Sequence, residues 1–74
     1  MKDSTKFARW LDRAGADLPP ELRSLAETAR CCLNQMDMDP RSNELCPQLR
    51  EANLSDIAKF TAAYDVHKSR AVPR

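Results

Sequence analysis

The sequence predicts an all-α fold, a small antiparallel bundle of three to four helices. The chain has one glycine, 5% aromatic residues and few of the β-branched residues that favour strands. No segment alternates apolar and polar residues for long enough to predict a strand, whereas apolar residues recur at helical spacing throughout. The length of 74 residues fits one domain, which we assign to residues 1–69, followed by a basic C-terminal tail over residues 70–74.

The first predicted helix runs from Ser4 to Ala14. Asp3 or Ser4 can accept the free N–H groups of its first turn, and Gly15 can end it in the left-handed conformation that glycine adopts without strain. With about 100° between successive residues, one face of this helix collects the apolar residues Phe7, Trp10, Leu11 and Ala14. We expect this face to point into the core.

A rigid connector precedes the second predicted helix. Because a residue before proline is pushed out of the helical region, we expect Leu18 and Pro19 to be extended and Pro20 to open the helix. This helix is predicted to end near Met36, and its apolar stripe consists of Leu22, Leu25, Ala26, Ala29, Leu33 and Met36.

The second half of the chain is predicted to contain a loop and two further helices. The acidic residues, proline and turn formers of residues 37–43 predict the loop. A short third helix has Pro47 in its first turn, where a missing N–H costs little, and carries Leu45, Leu49 and Ala52 on one side. Residues 53–55 are predicted to end it, and Ser55 to cap a fourth helix reaching Lys68. The inner face of this last helix is predicted to consist of Ile57, Phe60, Thr61 and Tyr64.

The aromatic residues occur only in the first and last predicted helices. The simplest explanation is that these two helices pack together, with Phe7 and Trp10 against Phe60 and Tyr64. We therefore expect the Trp10 ring to be shielded from water.

The charge of the chain is high but balanced. Twelve Lys and Arg residues face eleven Asp and Glu residues, so the net charge of +1 creates no global field toward nucleic acid or anionic lipid. Two local clusters remain: the first helix carries Lys6, Arg9 and Arg13, and the C-terminal end carries His67, Lys68, Arg70 and Arg74. If the first and last helices are antiparallel, the tail returns beside Lys2 and Lys6 and joins the two clusters.

The cysteines do not predict a metal or redox site. Cys31, Cys32 and Cys46 with His67 have the composition of a zinc site, but adjacent cysteines on a helix diverge by about 100°. Cys32 lies at the border of the apolar stripe and Cys31 almost opposite to it, and the Cys-x-x-Cys spacing of redox proteins is missing. The sequence also has no phosphate-binding glycine loop, serine elbow or His-Glu-x-x-His motif. We therefore expect no metal, no cofactor and no catalytic residue, hence a protein that is not an enzyme.

These observations predict a small regulatory or accessory protein that binds another protein, with inhibition of that partner as one outcome. The contact residues are predicted to be Lys6, Arg9, Arg13, Lys68 and Arg70, facing an acidic patch on the partner. The alternative is a small nucleic-acid-associated protein using the same basic residues. A homo-oligomer also stays open because so short a chain has a thin core.

We expect a cytoplasmic location without a membrane span. An odd number of cysteines and the lack of an apolar leader favour reduced thiols in the cytoplasm. The longest apolar runs are two to three residues, far too short to cross a bilayer.

Overall fold

The computed structural model of the chain describes residues 3–71, nearly all of which are helical. Three long helices, one short helix and a 3-10 turn make up the fold: α1 (Asp3–Ala14), the turn (Gly15–Asp17), α2 (Pro20–Met38), α3 (Pro40–Leu45) and α4 (Pro47–Ala71). Helix α2 runs antiparallel to α1, and α4 antiparallel to α2, in an elongated bundle of 46 × 22 × 19 Å. The predicted all-α bundle is confirmed.

The connector between α1 and α2 has the extended residues that the prolines predict. Leu18 (φ −86°, ψ 143°) and Pro19 (φ −57°, ψ 151°) are extended, and Pro20 is the first residue of α2. The prediction of a left-handed Gly15 is wrong, because no described residue has a positive φ. The chain instead continues into the 3-10 turn, and the guanidinium of Arg23 holds that turn by donating from Nε to the carbonyl oxygen of Gly15 at 3.0 Å.

Helix α1 begins where the end of α2 meets it. The backbone N–H of Ser4 donates to Oδ2 of Asp37 at 3.0 Å. A carboxylate from the neighbouring helix therefore accepts from one of the N–H groups at the start of α1, for which the sequence predicts Asp3 or Ser4 as acceptor. This carboxylate is stabilising there because the N-terminus of a helix carries a partial positive charge.

The predicted loop over residues 37–43 is wrong, because α2 extends to Met38 and α3 begins at Pro40. Asp39 alone separates the two helices, and its carboxylate accepts from the backbone N–H of Ser42 at 3.2 Å and from the Ser42 hydroxyl at 2.6 Å. These two bonds lower the pKa of Asp39 below its ordinary value. A capping aspartate followed by proline is a helix start, and the same residue types are typical of turns.

The predicted break at residues 53–55 is also wrong, since α4 is continuous from Pro47 to Ala71. The chain bends earlier, at Cys46, which is extended (φ −122°, ψ 94°) as expected for a residue before proline. The predicted place of Pro47 in the first turn of a helix is confirmed, but Leu45 belongs to the preceding helix α3.

A buried cluster of three amides explains why Asn53 lies inside a helix. Its Nδ2 donates to Oε1 of Gln35 in α2 at 2.8 Å and to Oδ1 of Asn43 in α3 at 2.9 Å. Asn43 in turn donates from Nδ2 to the same Gln35 oxygen at 2.8 Å. Asn43 and Asn53 are both buried, so the cluster fastens α3 and the start of α4 onto α2.

The core lies between α1, α2 and the middle of α4. Its buried apolar residues are Leu11, Leu18, Leu22, Ala26, Ala29 and Phe60. Among the described residues, only the two alanines have no exposed surface, and no large side chain is fully buried. Ile57 and Tyr64 pack against this core as predicted, but Thr61 is exposed and its hydroxyl donates to the carbonyl oxygen of Ile57 at 3.0 Å. The protein therefore folds around a thin core.

Candidate binding surfaces

Four aromatic rings pack together where α1 meets α4. The ring of Phe60 is 5.3 Å from that of Phe7 and 5.9 Å from that of Trp10, in edge-to-face arrangements. Trp10 and Tyr64 meet in the same way at 5.2 Å. The predicted packing of the aromatic residues is confirmed, and the apolar side of α1 belongs to the core.

The ring contacts show that α1 and α4 run parallel. Phe7, the earlier residue of α1, contacts Phe60, and the later Trp10 contacts Tyr64. The condition for joining the two basic clusters, an antiparallel first and last helix, is therefore not met, and α4 carries Lys68 and Arg70 away from Lys6. The reason is the uninterrupted α4: with three long antiparallel helices, the first and the third point in the same direction.

The predicted basic tail over residues 70–74 lies mostly outside the described residues. Arg70 is part of α4. Residues 72–74, with Arg74, lie outside the described residues, and so does Lys2.

Arg13 and Lys68 lie at the same end of the bundle. Lys68 follows Tyr64 by one turn of α4, and its Nζ is 5.2 Å from the centre of the Tyr64 ring, a cation–π contact. Arg13 follows Trp10, the ring partner of Tyr64, by about one turn of α1. Both cations are exposed and lie in the last turns of their helices, where the helix dipole favours positive charge. They form a small basic surface beside the aromatic rings.

The other predicted contact residues are distributed along and around the bundle. Lys6 and Arg9 are exposed on α1, and Lys6 lies about 10 Å before Arg13 along the helix axis. Arg70 is exposed on α4, but it lies about 160° from Lys68 around the helix axis. The structure therefore groups Arg70 with a different surface from Lys68.

That different surface is an open groove of about 280 Å³ between the start of α2 and the end of α4. Its floor is apolar and consists of Leu22, Leu25, Ala63 and Val66. Glu21 lines it on the α2 side, and Arg70 lines it on the α4 side. Val66 is 52% exposed, so the groove offers apolar surface to a partner.

The groove was not predicted from the sequence. Val66 lies about 120° from Phe60 around α4, outside the predicted inner face. Val66 alone gave no usable signal, because single apolar residues outside the core stripe of a helix are common on protein surfaces.

The cysteines lie in three different environments, and all three are free thiols. Cys31 is exposed, and Cys46 is half-buried at the bend before α4. Cys32 is buried between α2 and α4, where its thiol donates to Oδ2 of Asp56 at 3.8 Å. Burial, and then the Asp56 carboxylate, raise the pKa of Cys32. Within residues 3–71, no group of three or more His, Cys, Asp or Glu side chains could hold a metal ion.

Comparisons of the chain with protein-family models, curated proteins and solved structures found no match. Over residues 3–71, no helix combines the length and apolar character needed to cross a membrane.

Proposed function

We propose that this protein is a non-enzymatic binding module, a regulatory or accessory subunit that covers a surface of another protein. Inhibition follows where the partner needs that surface for its activity. The contact surface is the exposed basic side of α1 together with Lys68, and the partner presents an acidic patch. One observation carries the proposal: Arg13 and Lys68 each follow one ring of the Trp10–Tyr64 contact by about one turn, at the same end of two parallel helices.

The aromatic rings beside these cations favour a protein as the partner. Trp10 and Tyr64 are only half-buried, so part of their surface stays accessible next to Arg13 and Lys68. Tryptophan, tyrosine and arginine contribute most of the energy of protein interfaces, whereas isolated solvated charges contribute little. The rings also hold one another in place, which lowers the entropy lost on binding.

We include a cytoplasmic location in this proposal. All three cysteines are free thiols, and Cys31 is exposed. An exposed thiol persists in a reducing compartment and readily forms disulfides in an oxidising one.

The proposal is tested by affinity purification from cells of the source organism, with two matched variants as bait. One variant carries Arg13→Glu and Lys68→Glu, and the control carries Arg41→Glu and Arg50→Glu, which are exposed cations of α3 and α4. Both variants reverse two positive charges, so they have the same net charge. We expect the wild type and the control to retain one stoichiometric protein, and the first variant to lose it.

Nucleic acid is the competing partner, and the same experiment distinguishes it. A phosphate contact makes binding fall steeply with salt, because each neutralised phosphate releases counterions. A protein interface with a desolvated aromatic centre weakens much less between low and physiological salt. Recovery of nucleic acid in place of a protein, or equal loss of the partner with both variants, would contradict the proposal.

A further inference from the structure

The groove between α2 and α4 lies on the side of α4 that α1 does not cover. Tyr64, which contacts α1, lies about 40° to one side of Phe60 around the helix axis. Ala63 and Arg70, which line the groove, lie about 60° and 80° to the other side of Phe60. The α2–α4 pair is therefore packed against a helix on one side and open on the other.

The two walls of this groove carry opposite charges. Glu21 stands on the α2 wall and Arg70 on the α4 wall, and both are exposed. Both residues lie within the described part of the chain, and no salt bridge joins Glu21 to Arg70. A partner segment of one sign would meet a like charge on one of the two walls.

The geometry points to a second copy of this chain as the occupant: two molecules pack groove against groove in a symmetric dimer. The two-fold axis runs along the groove, so α2 of each copy lies on α4 of the other and the facing helices are antiparallel. Glu21 of one copy then meets Arg70 of the other, and symmetry forms the same pair a second time. The groove is thus complementary in charge to itself.

The apolar floor and the thin core favour the same arrangement. Val66, which is 52% exposed in the single chain, is covered on both sides of the dimer. The two α2 and two α4 helices then enclose a four-helix core, which adds to the few large side chains that one chain buries. Arg13 and Lys68 lie outside this dimer interface, so the basic surface stays accessible. The inference therefore does not depend on the proposed function.

Sedimentation equilibrium over micromolar to millimolar concentrations tests the dimer with the variants Glu21→Arg and Arg70→Glu. Each single reversal places two like-charge pairs in the interface, and we expect the dissociation constant of the dimer to rise about tenfold or more. In an equimolar mixture, one variant supplies two positive and the other two negative side chains, so both pairs form again. We expect this mixture to dimerise as tightly as the wild type.

The mixture also removes an ambiguity of the single variants. Glu21 lies in the first turn of α2 and Arg70 in the last turn of α4, so each reversal opposes a helix dipole as well as the partner copy. That cost persists in the mixture, and only the interface is repaired. Circular dichroism checks that every variant keeps its helical content.

Val66→Glu tests the apolar floor, with Leu45→Glu as its control. Leu45 is 74% exposed on α3, at the other end of α2 from the groove. We expect Val66→Glu to give a folded monomer and Leu45→Glu to dimerise like the wild type. A monomeric wild type over the whole range, a dimer unaffected by the reversals, or a mixture that stays monomeric overturns the inference.

Discussion

Replacing Asn53 by alanine tests the continuity of α4 and the amide cluster at once. The change removes both hydrogen bonds that the Asn53 amide donates, to Gln35 and to Asn43. It leaves Oδ1 of Asn43 buried without that donor, while the bond from Asn43 to Gln35 remains. If residues 53–55 formed a break between two helices, alanine would instead be harmless or favourable.

The expected loss of stability follows from these contacts. An unsatisfied buried acceptor costs about 1–3 kcal/mol. The higher helix propensity of alanine returns about 0.5 kcal/mol, so we expect Asn53→Ala to lower the free energy of unfolding by about 0.5–2.5 kcal/mol. A domain of this length is stable by about 4–11 kcal/mol in all, so the variant stays folded and its stability can be measured.

Ser55→Ala is the matched control, and its sign decides between the two descriptions of this segment. Ser55 is exposed inside the continuous α4, where alanine has the better propensity, so we expect a gain of up to about 0.5 kcal/mol. If Ser55 instead capped a new helix, the same change would lower the free energy of unfolding by about 1 kcal/mol.

Urea unfolding followed by circular dichroism at fixed pH measures both free energies. We compare midpoints at equal denaturant slope, so that a change of midpoint reports stability. A neutral Asn53→Ala combined with a destabilising Ser55→Ala would refute the continuous helix and the structural role of the amides.

Two further predictions concern single side chains. We expect the fluorescence of Trp10 to be blue-shifted in the folded protein because its ring packs on Phe60 and Tyr64; an emission that does not move on unfolding in urea would contradict this packing. We expect iodoacetamide to alkylate Cys31 before Cys32 as the pH rises, because burial and a neighbouring carboxylate raise the pKa of Cys32 and postpone its thiolate. Peptide mass spectrometry measures both alkylation rates, and equal rates would exclude the buried thiol.

The first half of the fold could be predicted because its signals are local. The apolar spacing of α2 continues over several turns, and the restriction before proline acts between neighbouring residues, as Leu18 and Pro19 show. The aromatic packing was predictable too, because a short chain can bury four large rings from two helices only by packing those helices together.

The second half was mispredicted because asparagine, aspartate and serine serve both turns and helices. Asp39 caps a helix within what resembled a loop. Asn53 resembles a breaker until Gln35, which is 18 residues earlier in the chain, accepts its hydrogen bond. A sequence pattern contains the residue type but not this distant partner, so the choice between break and buried amide depends on tertiary structure.

The predicted break at residues 53–55 also led to a wrong grouping of the surface residues. The number of long antiparallel helices decides in which direction the last helix runs. A break at residues 53–55 would add a reversal and return Lys68 to the end of the bundle where Lys6 lies. The continuous α4 instead brings Lys68 level with Arg13 and leaves its other side, with Arg70, open along α2. The exposure of the basic residues was predictable from their position on helix faces, but their grouping was not. The sign of the Ser55→Ala change therefore bears on both proposals, since a break there would separate Arg13 from Lys68 and remove one wall of the groove.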